Sequence, residues 1–194
     1  MFTGIIEEIA EVTNIEKEGG NIHFTLKAKM TSELKIDQSV AHNGCCLTVV
    51  EISNETYKVT AIQETLDKTN LNQWEIGTKV NLERCMQMNG RLDGHIVQGH
   101  VDTIGTCEKI EDQNGSWKFT FSHKSHQLTV EKGSITVNGT SLTVVDSERN
   151  AFSVCIIPYT FENTNFSSIR EGDQVNLEFD IIGKYVAKWV EAMK

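Results

Sequence analysis

Apolar and polar residues alternate along this chain in short stretches, at residues 5–12, 22–28, 39–41, 47–52, 57–62 and 79–84, each bounded by turn-forming residues. Alternation of period two over such lengths predicts half-buried β-strands. The whole pattern then occurs a second time. Residues 2–88 set above 97–183 align without a gap at a shift of 95, and about 25 of the 87 pairs are identical. Gly4 falls on Gly99, Asn43-Gly44 on Asn138-Gly139, and Leu47-Thr48-Val49-Val50 on Leu142-Thr143-Val144-Val145. Thr65 falls on Thr160, Thr69-Asn70 on Thr164-Asn165, and Val80-Asn81-Leu82-Glu83 on Val175-Asn176-Leu177-Glu178.

A repeat unit of this length can bury a core of its own, so it is a domain rather than one turn of a solenoid. The predicted fold is all-β: two homologous six-stranded, Greek-key-like closed barrels in tandem. Closure removes the exposed edges that so many short strands would otherwise present; a pair of sandwiches is the alternative. The Asn-Gly pairs predict tight hairpins or bulges at matching places. The first barrel is expected over 1–88 and the second over 95–183, joined by the polar, turn-rich segment 89–94. Residues 184–194 place Tyr185, Val186, Trp189, Val190 and Met193 at helical spacing with lysines opposite. That amphipathic helix either covers a barrel or, having no equivalent after the first copy, packs against another subunit.

Composition narrows the function classes. No apolar run approaches the ~20 residues of a membrane span, and no basic segment followed by an apolar stretch opens the chain, so a soluble, cytoplasmic protein is expected. Five cysteines without a CxxC pair fit reduced thiols better than disulfides or a zinc site. A net charge of −9 opposes binding to a phosphate backbone, so nucleic acid is not an expected partner. Two copies that have diverged at chosen positions suggest two homologous but unequal ligand sites.

Several motifs occur in order along the chain. They are Met1-Phe2-Thr3-Gly4-Ile5-Ile6, Val40-Ala41-His42-Asn43-Gly44-Cys45-Cys46-Leu47-Thr48-Val49, Gly94-His95 followed by Gln98-Gly99-His100-Val101-Asp102, Val137-Asn138-Gly139-Thr140-Ser141-Leu142-Thr143-Val144, and Ile157-Pro158-Tyr159-Thr160. Together they closely resemble riboflavin synthase over essentially the whole chain. The resemblance implies a homotrimer of two-barrel subunits that converts two molecules of 6,7-dimethyl-8-ribityllumazine into riboflavin and 5-amino-6-(ribitylamino)uracil without metal or redox cofactor. It also leaves room for association with lumazine synthase. A dismutation needs two identical molecules held face to face with different fates, which duplication with divergence supplies. In such a family the first barrel of one subunit meets the second barrel of another, and much of the acceleration is proximity.

Position by position, the resemblance implies pterin-binding segments in the first barrel at Gly4, Ile5 and Ile6, at Cys46, Leu47 and Thr48, and at Thr60, Ala61, Ile62, Gln63, Glu64 and Thr65. In the second barrel it implies Gly99, His100 and Val101, then Ser141, Leu142 and Thr143, then Cys155, Ile156, Ile157, Pro158, Tyr159 and Thr160, with Lys132 beside them. Strand backbone can pair with the edge of a flat heterocycle, while Thr48, Thr143, Thr65, Thr160, Glu64 and Lys132 can bond its carbonyls or the ribityl hydroxyls. The copies differ where this matters: Cys46 faces Ser141, Phe2 faces Val97, Ile5 faces His100, Asp37 faces Lys132 and Glu64 faces Tyr159. His100 with Ser141 is the expected proton-moving pair, with Cys46, Thr48 and Phe2 completing the site from the other subunit.

Plainer roles compete with some of these. Cys45, Cys85 and Cys107 read as small buried hydrophobes, and Asn43 and Asn138 as turn residues. Two positions depart from the family pattern: Tyr159 stands where the second copy often carries Glu, and Gln63 where Lys is common. Two rival functions remain, a non-catalytic lumazine- or flavin-holding chromophore protein and a flavin-dependent reductase. The reductase would need a nicotinamide-binding partner, and no Gly-x-Gly-x-x-Gly follows a strand.

Overall fold

The computed structural model describes residues 1–193. Two closed barrels account for nearly all of them, as the alternating pattern predicts. The first is built from β1 (Glu8–Glu18), β2 (Asn21–Lys27), β3 (Ser39–His42), β4 (Cys45–Ser53), β5 (Thr56–Ala61) and β6 (Lys79–Arg84), with α1 (Gln63–Lys68) between the last two. The second repeats it with β7 (Thr103–Asp112), β8 (Trp117–His123), β9 (Ser134–Val137), β10 (Thr140–Ser147), β11 (Ala151–Ile156), α2 (Pro158–Asn163) and β12 (Gln174–Phe179). Around each barrel the strands follow one cyclic order, β1-β2-β5-β4-β3-β6 and β7-β8-β11-β10-β9-β12, with antiparallel pairs throughout. Core-facing positions alternate along the strands and change sign only where β1, β4, β7 and β10 slip register. Val12, Phe24, Leu26, Val49, Val59 and Leu82 fill the first interior, and Phe119, Phe121, Ile135, Phe152, Phe166 and Leu177 the second.

The two interiors are not chemically equal. His42 lies fully buried in the first, its Nδ1 2.9 Å from the Val40 carbonyl oxygen and its Nε2 2.8 Å from the Tyr57 hydroxyl. The second barrel has the apolar pair Val137 and Phe152 at the matching positions.

The barrels lock together across a pseudo-twofold axis. Asn43 and Asn138 adopt positive φ, at 46° and 45°, and form with their glycines the hairpin turns the sequence predicts. The turns lie back to back: a Cβ on Gly44 would stand 2.8 Å from the Gly139 nitrogen. Around them the Asn43 and Asn138 side-chain carbonyls accept from the Asn81 and Asn176 backbone N–H groups, both at 2.8–2.9 Å. The Asn81 amide donates across the seam to the Asn138 carbonyl at 3.0 Å, and the Asn176 amide to the Asn43 carbonyl at 3.0 Å. Buried amides satisfied this fully hold their neighbours to one geometry, since breaking any one strands a partner without water. On the axis itself Phe2 and Val97, related by the repeat shift, form a two-residue antiparallel bridge.

The terminal helix, α3 (Ile181–Ala192), begins three residues before the predicted start at 184 because the Asp180 carboxylate caps it, accepting from the Ile182 N–H at 2.9 Å. Lys194, the last residue of the predicted helix, lies outside the described residues. None of the described helix residues is buried, and Tyr185, Val186, Trp189 and Val190 are all exposed. The helix does not cover a barrel of its own chain; its apolar stripe is uncovered. Cys45 and Cys107 are buried as expected, whereas Cys85 is exposed, because it follows the last residue of β6 where the chain leaves the barrel. Among the described residues no helix is long and apolar enough to cross a membrane.

Candidate functional site

In each barrel one pair of neighbouring strands fails to stay paired to its end. The β4–β5 ladder runs from Ser53–Thr56 up to Val49–Val59 and stops there, although β4 begins at Cys45 and β5 continues to Ala61. Likewise the β10–β11 ladder stops at Val144–Val154, short of Thr140 and Ile156. The strands splay at 46–48 against 60–62 and at 141–143 against 155–157. Splayed strands open a mouth bordered by main-chain groups, which suits the hydrogen-bonding edge of a flat heterocycle. Continuing each register places Thr48 beside Thr60 and Cys46 beside Ile62, and in the second copy Thr143 beside Cys155 and Ser141 beside Ile157.

Side-chain direction divides the expected ligand residues into two groups. Leu47, Ala61 and Ile156 point into the barrel interiors and can offer a ligand only their backbone. Thr48, Ile62, Gln63, Glu64, Thr143, Cys155, Ile157, Pro158, Tyr159 and Lys132 are exposed around the two mouths, with Thr60, Thr65, Leu142 and Thr160 half-buried among them.

The loops that complete the mouths are exchanged between the copies. Gly4 to Ile6, expected with the first-barrel segments, lies instead on the second barrel, where the Gly4 carbonyl accepts from the Ser141 N–H at 2.8 Å. Gly99 to Val101, expected with the second, lies on the first, where the Gly99 carbonyl accepts from the Cys46 N–H at 2.8 Å and Val101 packs against the first core. The contacts leave no room for a side chain: a Cβ on Gly4 would fall 2.6 Å from the Ser141 Cβ, and one on Gly99 2.7 Å from the Cys46 Cβ. Both glycines also hold positive φ, 77° and 79°, which other residues rarely adopt. Each loop remains tethered to its own barrel by a buried carboxylate. Glu83 accepts from the Thr3 N–H and hydroxyl, both at 2.7 Å, and from the Gly4 N–H at 2.9 Å. Glu178 accepts from the Gln98 and His100 N–H groups, both at 2.7 Å. Burial pushes both carboxyls above the usual range, against the opposing pull of the N–H groups that point at them.

This exchange dissolves the expected His100–Ser141 pair within the chain. His100 sits on the loop beside Cys46, exposed at the rim of the first mouth. Ser141 is partnered by His95, whose Nδ1 lies 2.7 Å from the Ser141 Oγ. His95 is a residue the sequence motifs contain without marking. Its signal was its position, just after the linker that brings the second copy's loop across the seam. The His95 backbone is anchored to the Thr3 carbonyl, 3.1 Å away, and burial lowers the pKa of its ring, which favours the neutral imidazole that can take a proton from Ser141. Cys46 is half-buried, and burial raises its thiol pKa; it is a hydrogen-bonding thiol rather than a ready thiolate.

Phe2 also differs from expectation. It is fully buried on the seam with Ala41, Val97 and Cys46, and its ring lies against Gly99. It shapes the first mouth from behind the Gly99 loop instead of walling an open cavity. Among the described residues no group of three or more His, Cys, Asp or Glu side chains is arranged to hold a metal ion.

Comparison with known proteins matches these features to one family. The lumazine binding domain model matches twice, at residues 3–85 and 98–180. A riboflavin synthase of Actinobacillus pleuropneumoniae is 42% identical over 193 residues, covering 98% of this chain and 90% of that protein. A riboflavin synthase of Mycobacterium bovis is 40% identical over 196 residues, with 97% of each chain covered, and one of Bacillus subtilis is 38% identical over 193 residues, covering 98% and 90%. The fold is shared with LumP complexed with riboflavin, at a TM-score of 0.85 and 21% identity over 92% of this chain and 98% of that one. LumP complexed with 6,7-dimethyl-8-(1'-D-ribityl) lumazine superposes at a TM-score of 0.83 with the same identity and coverage.

Proposed function

Because the chain belongs to the riboflavin synthase family, we propose that it binds 6,7-dimethyl-8-ribityllumazine at two unequal mouths per chain and dismutates pairs of these molecules to riboflavin and 5-amino-6-(ribitylamino)uracil. The observation that carries the catalytic half is the Ser141–His95 pair, a hydroxyl held 2.7 Å from an imidazole whose burial favours the neutral form.

The chemistry asks for three things. One lumazine must lose a proton from its acidic 7-methyl group, the other must be activated by a nucleophile, and the two rings must meet. Because one molecule gives up a four-carbon unit and the other receives it, the redox change balances between them and needs no external oxidant. Ser141, with His95 taking its proton, is the nucleophile or proton relay of the second mouth. His100, Thr48 and Cys46 border the first. The two mouths belong to different barrels locked rigidly in one chain, so apposition of a first mouth with a second mouth is assigned to neighbouring subunits. The uncovered stripe of α3 supports a homotrimer that supplies those neighbours. Holding both substrates in one cavity is worth effective molarities of ~10⁵ M or more. A cytoplasmic setting suits the free cysteines and small-molecule substrate.

A second reading is favoured by the fold shared with LumP and by the lumazine binding model, which speaks of binding and not of turnover. On it the chain holds a lumazine or flavin as a chromophore. One experiment separates the two: the protein is mixed anaerobically with the lumazine alone. One riboflavin formed per two lumazines consumed is the expected result, and Ser141→Ala or His95→Gln is expected to slow it ~10²- to 10⁴-fold, the usual contribution of a positioned base, while fluorescence titration still detects bound lumazine. Binding without riboflavin in the unmodified protein establishes the chromophore holder instead.

A further inference from the structure

At one corner of the two mouths the copies differ by three aligned substitutions that act together. In the first barrel the Glu18 carboxylate lies 3.0 Å from the His23 Nε2, and the His23 Nδ1 lies 2.8 Å from the Thr60 Oγ1. The repeat shift carries Glu18 to Gln113, His23 to Lys118 and Thr60 to Cys155. There the chain of contacts is gone: Lys118 turns to Asp146 at 2.7 Å, and the Cys155 thiol donates weakly to the Gln113 side-chain oxygen at 3.8 Å.

The first-barrel arrangement has a direction. A carboxylate only accepts, so in the neutral ring it fixes the proton of His23 on Nε2 and leaves Nδ1 as an acceptor. The Thr60 hydroxyl must then donate its hydrogen to Nδ1. Its oxygen lone pairs remain for whatever enters the mouth, and Thr60 lies across the splay from Thr48 on that rim. Thr60, with Val50, Lys58 and His23, also lines an open cleft of about 620 Å³, walled further by Glu16 and Glu18. That open space is rimmed by Glu16, Lys17, Glu18, His23, Lys58 and Thr60, whose side chains can bond the hydroxyls of a flexible polyol.

Resting on the lumazine-binding reading above, we propose that His23, oriented by Glu18, is a positioning residue that turns Thr60 into a dedicated acceptor for a hydroxyl of the ligand's ribityl chain in the first barrel. The second barrel, with a thiol at that corner, makes no equivalent bond. This gives the two sites different grips on one and the same molecule, as a reaction with two fates for identical substrates requires. A sulfur is a poor acceptor, so the first site holds the polyol more firmly and the second leaves it freer to move.

The test uses the full chain and two ligands: 6,7-dimethyl-8-ribityllumazine, and 6,7,8-trimethyllumazine, which keeps the ring and lacks the polyol. Thr60→Val and His23→Leu are each expected to weaken ribityllumazine at one of the two sites about 5- to 10-fold, the size of one neutral hydrogen bond. The double variant should be no weaker than Thr60→Val alone, because His23 acts only through Thr60. Trimethyllumazine should bind all four proteins alike, which also reports that the mouth is intact. Loss of both ligands together, an additive double variant, or unchanged ribityllumazine affinity in Thr60→Val each overturns the proposal while leaving the lumazine site standing. Failure of the unmodified protein to bind either ligand overturns the site itself, and this assignment with it.

Discussion

The buried histidine of the first barrel makes a prediction that depends on no ligand. In the neutral ring His42 donates from Nδ1 to the Val40 carbonyl and accepts the Tyr57 hydroxyl at Nε2, so both nitrogens are satisfied without a buried charge. Burial lowers its pKa from 6.5 to about 4, outweighing the hydrogen bonds that pull the other way. The unfolded chain takes up a proton near pH 6.5, whereas the folded chain resists until about pH 4. The contribution of neutral burial is therefore complete above pH 6.5, fades as the pH falls, and levels off below 4. A gap of about 2.5 pH units at 1.36 kcal/mol per unit corresponds to about 3 kcal/mol. The perturbation is His42→Val with Tyr57→Phe, which copies Val137 and Phe152 from the other barrel and removes both hydrogen-bonding partners at once, a near-neutral exchange at pH 7.5. Urea unfolding followed by the fluorescence of Trp74, buried against Phe24 in the same barrel, gives the stability of both proteins from pH 8 to 4. The variant should gain about 3 kcal/mol on the parent across that range. His95 and His123, whose pKa values burial also lowers, are common to both proteins and cancel in the difference. Parallel stability curves would refute the reasoning, since they would mean that His42 is not held neutral by the fold.

Phe2→Ala removes a fully buried ring from the seam and should cost about 3–5 kcal/mol, seen as a fall of about 10 °C in Tm; a variant with normal stability but lost activity would restore Phe2 to the wall of the substrate cavity. Replacing Trp189 and Val190 together with Glu should leave both barrels folded while abolishing the proposed trimer, because these exposed side chains belong to a stripe that nothing among the described residues covers. Sedimentation velocity decides it, and an intact trimer would mean that the subunits meet elsewhere.

The distribution of apolar residues was enough to determine the repeat, the all-β class, the helix and the twelve strands, although β1, expected over 5–12, begins at Glu8 and runs on to Glu18. These follow from local rules: period two for strands, Asn-Gly for positive-φ turns, helical spacing over 184–194. The motifs also carried the family. What no local rule contains is which segment lies against which, and the site turned on that. Gly4 and Gly99 are alike in sequence, and nothing near either one says that each crosses to the other barrel. The crossing is decided by Phe2 meeting Val97 on the axis and by Glu83 and Glu178 pinning the loops from behind, contacts that span some 80 residues or more. From the same cause His95 replaced His100 as the partner of Ser141, and Phe2 moved from cavity wall to seam. Spacing and composition report what a residue can do, but the partner of a buried polar group is set by which surfaces close over it, and that closure exists only when both barrels have folded against one another.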